Sequence, residues 1–151
     1  MTAEDTLKQW QDEEATVRAR IGARGVATVE QLQGLTGLEQ MQRLLSGDFP
    51  APPISETMDF GLLSVEFGRA IFQGKPSTKL LNPMGTVHGG WYATLLDSAV
   101  GCAVHTAMPV GRAYTTLELK LNIVRGISLK VPLVRAEGYT VHVGRDRKST
   151  R

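Results

Sequence analysis

Asn82-Pro83-Met84-Gly85-Thr86-Val87-His88-Gly89-Gly90-Trp91-Tyr92-Ala93-Thr94-Leu95-Leu96-Asp97 is the stretch on which the fold turns. It opens as a loop rich in turn residues and passes, at Gly89, into an apolar run that reaches Met108. Pro109 and Gly111 then supply the break. On a helical wheel Trp91, Tyr92, Ala93, Leu95, Leu96, Ala99, Val100, Cys102, Ala103 and Val104 cover nearly every azimuth. A helix apolar all round is buried all round. The run is long enough to span a bilayer, but it contains Asp97, His105 and several Gly, Ser and Thr residues. Charges at mid-membrane are costly. The segment therefore reads as the central helix of a soluble domain.

Working outward, Tyr114–Val124 alternates: Leu117, Leu119, Leu121 and Ile123 on one face, Thr116, Glu118, Lys120 and Asn122 on the other. That is the pattern of a half-buried strand. Gly126 interrupts it, and Leu133–Val143 reads as a further strand. Upstream, Met58–Phe67 and Ala70–Gln73 read as two short strands joined at Gly68-Arg69. Before them Phe49-Pro50-Ala51-Pro52-Pro53 cannot be helical, since each proline lacks a donor and restricts its predecessor. The core proper is expected to begin after this linker. Helices are expected in 2–24 and around Leu38–Leu45, the latter stopped by Gly47. Short helices, two strands, one central helix and then long strands make an α+β layout, an antiparallel sheet packed on one helix.

Composition sets limits on function. With 151 residues, 42% apolar and 21% charged, the chain is one ordinary soluble domain. Its net charge of +2 is spread out, and only Arg145–Arg151 is densely basic. Nothing demands nucleic acid as a partner. The lone Cys102 excludes an intramolecular disulfide and has no basic neighbour to activate it, so it reads as a small buried hydrophobe. The N-terminus is acidic rather than a secretory signal, which makes the cytoplasm the expected compartment.

A carboxylate inside an apolar helix carries a desolvation cost unless it is paired, hydrogen-bonded or used. Asp97 is thus either satisfied by a nearby hydroxyl or a candidate base or nucleophile. The helix start favours the second reading. Backbone N–H groups are unpaired there and attract negative charge, and Gly89-Gly90 lets a substrate approach them. Those donors suit a developing oxyanion. Gly89 and Asp97 are eight residues apart, about 12 Å along one helix. One carbonyl carbon cannot contact both, so a site using both requires two chains related by a two-fold axis. Trp91 and Tyr92 fit either an aromatic pocket wall or plain core.

Asn82 through Gly90, followed by Ala93-Thr94-Leu95-Leu96-Asp97-Ser98-Ala99, closely resembles the PaaI-type (phenylacetate-pathway) hotdog thioesterases. Tyr114–Asn122, Arg135–Gly138 and His142–Arg145 extend the resemblance, which covers roughly 38–145. It implies a hotdog fold, a sheet wrapped around one helix, and hydrolysis of acyl- or aryl-CoA thioesters without metal or other cofactor. Asp97 would activate water or attack directly, and Gly89 N–H would polarise the thioester carbonyl. His88 and Asn82 would orient that carbonyl or the leaving thiolate, and Thr116 would help place the water. Gly144 and Arg145 match the region near the CoA phosphates, where a cation is sensible. Homodimers pairing into tetramers are implied, with no membrane partner. The expected organisation is a helical extension and linker over 1–50, serving as a pocket cap or an assembly element, and a hotdog domain over 51–145. In the family about two more strands follow. Residues 146–151 instead match one reading frame of a widely used sequencing adapter and are expected to be a non-native tail. Two other functions fit the same fold: an acyl-CoA-binding sensor or carrier, and a dehydratase or hydratase. The position of Asp97 after His-Gly-Gly speaks against the latter. The acyl group itself is not legible.

Overall fold

The computed structural model describes residues 2–144 and 148–151. Four helices come first: α1 (Ala3–Arg18), α2 (Val29–Leu32), α3 (Gly37–Ser46) and α4 (Pro53–Thr57). The first three share a device. Thr2, Thr28 and Thr36 each accept from the backbone N–H three residues on, while Asp5, Gln31 and Glu39 reach back to the threonine N–H. These reciprocal caps satisfy two orphan donors each, and one cap residue contributes about 0.5–2 kcal/mol. Gly47 ends α3 in the left-handed region, φ 87°, where glycine carries no Cβ penalty. Residues 49–52 are non-helical as expected, but Pro53, counted above with that linker, instead takes the first position of α4, where its missing N–H costs nothing.

Strands β1 (Phe60–Glu66) and β2 (Arg69–Gly74) form the expected hairpin, and α5 (Gly89–Thr106) is the expected central helix. Strands β3 (Val134–Val143) and β4 (Lys148–Thr150) complete an antiparallel sheet in the order β1-β2-β3-β4. Residues 148–150, set aside above as part of the tail, here pair with Thr140–Val143. One face of the sheet packs on α5. Phe60, Leu62, Ala70, Phe72 and Ala136 meet Trp91, Leu95, Ala99 and Ala103 in one apolar cluster. Trp91 is fully enclosed and its Nε1–H donates to Met58 O at 2.8 Å, so its large apolar surface is buried without stranding a donor. Among the described residues no helix is long and apolar enough to cross a membrane.

Two glycines set how closely these layers approach. At Gly138 of β3 a methyl group would run into the Ala99 carbonyl and, at 2.6 Å, the Val100 nitrogen. The obstacle is helix backbone, which cannot swing away. Gly138→Ala is expected to destabilise the fold by about 1–3 kcal/mol or more. Urea unfolding checks this: the midpoint should fall with little change in slope. Gly37 does the same for α3, because a methyl there would strike the His105 carbonyl.

That second approach corrects an expectation. The core does not wait for the proline linker. Met41 of α3, with Phe49 and Ala51 beyond it, is already buried, because α3 packs directly on α5 and β1. A second correction concerns Tyr114–Val124, which is not a strand among the described residues. On the apolar face Leu117 is 90% exposed and Ile123 53%, so the alternation has no buried face to serve. The segment instead runs back along α5. Tyr114 lies against Gly101 and His105, Thr116 against Asp97, and Ile123 against Gly89. It is held to the helix, not by a ladder.

Candidate active site

A third correction bears on the chemistry. Helix α5 is not buried all round. The face carrying Trp91, Tyr92, Leu95, Ala99 and Ala103 is buried on the sheet, but Ala93, Thr94, Leu96, Asp97 and Val100 are only half covered. A sheet covers one side of a helix, and Tyr114–Val124 shields the other thinly. Asp97 is therefore reachable, not sealed. Its Oδ1 accepts a hydrogen bond from Thr116 Oγ1 at 3.0 Å. The hydroxyl partner and the reachable carboxylate occur together, so the two readings of Asp97 are not exclusive.

Asp97, Ser98 and Cys102 open on a cavity of about 290 Å³. Tyr114 lines it too, with Phe60, Leu62 and Phe72 from the sheet. Cys102 behaves as expected of an unactivated thiol. Burial, and then the Asp97 charge, push it up to about 12. His105, a turn further on, bonds Gln40 Oε1 through Nε2 at 2.9 Å, and burial holds its imidazole below the usual range. It serves the α3–α5 contact.

The start of α5 is built by the loop before it. Asn82 accepts from Met84 N–H at 2.9 Å and Thr86 N–H at 3.2 Å through Oδ1, and donates through Nδ2 to Thr86 Oγ1 at 2.9 Å. Gly85 completes the turn at φ 77°. Asn82 thus shapes the loop that delivers His88 to the helix. His88 is the N-cap: its Nδ1 accepts from Gly90 N–H at 2.9 Å. In the neutral ring the proton then sits on Nε2, on an exposed side chain. The Gly90 donor is occupied, and Trp91 N–H donates to His88 O at 2.9 Å. Among the described residues Gly89 N–H has no acceptor. The positive end of α5 leaves this donor open.

The predicted residues therefore fall into separate groups. Asn82, His88 and Gly89 are together at the helix start, and Asp97 and Thr116 are together two turns on. Gly144 is with neither. Strand β3 passes Ala99 at Gly138, and Gly144 follows the last residue of that strand. Its carbonyl accepts from Lys148 Nζ at 3.0 Å. Arg145 lies outside the described residues. Ser98 and Tyr114 were missed as cavity residues because a serine in a helix and a tyrosine opening a strand carry no site signal of their own.

Residues 84–149 match the thioesterase superfamily. A 1,4-dihydroxy-2-naphthoyl-CoA hydrolase of Listeria monocytogenes serotype 1/2a (strain 10403S) is 27% identical over 92 residues, 61% of this chain and 73% of that protein. Among solved structures, a phenylacetic acid degradation-related protein from Ralstonia eutropha JMP134 superposes with a TM-score of 0.65 at 25% identity, over 72% of this chain and 83% of that one. A variant of the phenylacetic acid degradation protein PaaI from Thermus thermophilus gives 0.55 at 28% identity, over 62% and 76%.

Proposed function

We propose that this chain, which belongs with the PaaI-like hotdog proteins of the thioesterase superfamily, hydrolyses acyl- or aryl-CoA thioesters at a site shared by two subunits. At the general level the activity is that of an acyl-CoA thioesterase. The observation that carries the finer reading is the pairing of Asp97 with Thr116 at a cavity, on the same helix whose start leaves the Gly89 N–H open.

In this reading the thioester oxygen sits on Gly89 N–H of one subunit, and Asp97 of the other faces the carbonyl carbon. Thr116 Oγ1 holds the carboxylate, and Asp97 takes a proton from water as the oxygen adds to the carbonyl. The tetrahedral oxyanion is stabilised by a donor already oriented, which needs no rearrangement during the reaction. Collapse expels the CoA thiolate, and a proton returns to it. His88 Nε2–H is available to the carbonyl or the thiolate, while Asn82 acts through the loop it shapes. Direct attack by Asp97 is the variant in which the carboxylate replaces water as the first nucleophile. In this reading Gly144 and Arg145 would meet the CoA phosphates, where a cation is sensible.

The test is release of free CoA thiol from a panel of acyl- and aryl-CoA esters. Turnover on at least one ester is expected. Saturable binding of the whole panel with no thiol release would replace this reading with a sensor or carrier of acyl-CoA.

A further inference from the structure

The cavity beside Asp97 is not closed by the sheet and α5 alone. Val17 of α1 and Ile21 just after it also line the cavity, as do Leu44 and Ile54. A set of polar side chains holds α1 in place. Glu14 accepts from Arg18 Nε and from Gln73 Nε2, both at 2.6 Å, and Arg18 Nη2 donates to Asp59 at 2.8 Å. Arg135 Nε donates to Gln73 Oε1 at 2.7 Å, pairs with Glu13, and lies 4.3 Å over the Trp10 ring. Gln73 is 1% exposed and both ends of its amide are bonded. Glu14, Arg18 and Gln73 are thus committed to one another and to the sheet, whereas Arg24, which also lines the cavity, reaches Glu56 only at 4.0 Å. Val17 and Ile21 contribute only aliphatic surface.

We infer that α1 and the turn after it form a wall of the acyl pocket, and that Val17 and Ile21 set the size of the acyl group accepted. The inference rests on the thioesterase reading above. A cavity of about 290 Å³ lies at the small end of ligand pockets, which run from about 300 to 1,000 Å³. It is roughly twice the 150 Å³ that accommodates a benzene ring, so it has room for an aliphatic chain of moderate length or for one or two aromatic rings.

Calorimetric binding of CoA thioethers, which cannot be hydrolysed, reads the wall without turnover. The series runs from S-ethyl to S-decyl, with S-benzyl and S-naphthylmethyl, on the full chain, V17A/I21A and V17F. In the parent chain affinity should rise with the size of the S-substituent and fall once the group outgrows the cavity. V17A/I21A should move the peak to longer or bicyclic groups, about tenfold in their favour relative to the short ones. V17F should move it toward S-ethyl. Opposite shifts cannot come from a general loss of folding. The same ligand ranking in all three proteins would overturn the inference. Ranking that moves, in a protein that hydrolyses no thioester, would remove the proposed function and leave the wall; hydrolysis with an unmoved ranking would do the reverse.

Discussion

Asp97→Ala is expected to lower kcat on the best CoA ester by about 10²–10⁴-fold, the usual contribution of a positioned general base, with KM nearly unchanged. The split follows from the geometry. Asp97 is held by Thr116 at 3.0 Å and faces a cavity, so it can act on water or the carbonyl, whereas ester binding draws on the cavity walls and the CoA contacts. Asp97→Asn separates chemistry from structure. The amide oxygen still accepts the Thr116 hydroxyl, which preserves the contact, but it is neither a base nor a nucleophile. Steady-state thiol release should therefore find Asn as inactive as Ala. If the Asn variant kept half the turnover or more, Asp97 would be a structural partner of Thr116 and the chemistry would have to be sought elsewhere.

Gly89→Pro is expected to cost about 10²–10³-fold in kcat, the usual effect of removing one oxyanion donor. Proline is well tolerated at the first helical position, and His88, at φ −66° and ψ 136°, already has the extended backbone a following proline demands. The substitution deletes one N–H that no group among the described residues accepts, so the helix loses none of its own hydrogen bonds. Mixing then tests where the site lies. In a dimer that pairs Gly89→Pro with Asp97→Ala, a shared site leaves one centre with both defects and one intact. Random exchange of subunits would restore about a quarter of wild-type turnover in a two-fold dimer. A site contained in one subunit would restore none.

The sequence disclosed the hairpin, α5 and β3, because hydrophobic period and glycine or proline stops are local quantities. It also placed Gly89 at the start of that helix and Asp97 within it, since a helix start and an acid within an apolar run are visible one residue at a time. Tyr114–Val124 misled for a physical reason. Alternation records a preference for a pleated, half-buried surface, not the presence of a strand to pair with, and here the segment lies along α5. The wheel of α5 overstated burial because it shows which residues tolerate the interior, not how many sides are covered. The contribution of Val17 and Ile21 to the cavity was beyond reach, since it depends on contacts spanning more than fifty residues, such as Glu14 with Gln73 and Glu13 with Arg135.

Helix α1 is fastened to the sheet by side chains, not by a backbone ladder, and this bears on how relatives of such a chain can diverge. A change in the sheet or in α5 disturbs packing that every other core residue shares. An exchange at Val17 or Ile21 alters only surface facing the cavity, and the Glu13, Glu14 and Arg18 contacts can persist through it. If the acyl-pocket proposal holds, preference can drift by single substitutions in the first two dozen residues without touching Gly89, Asp97 or Thr116.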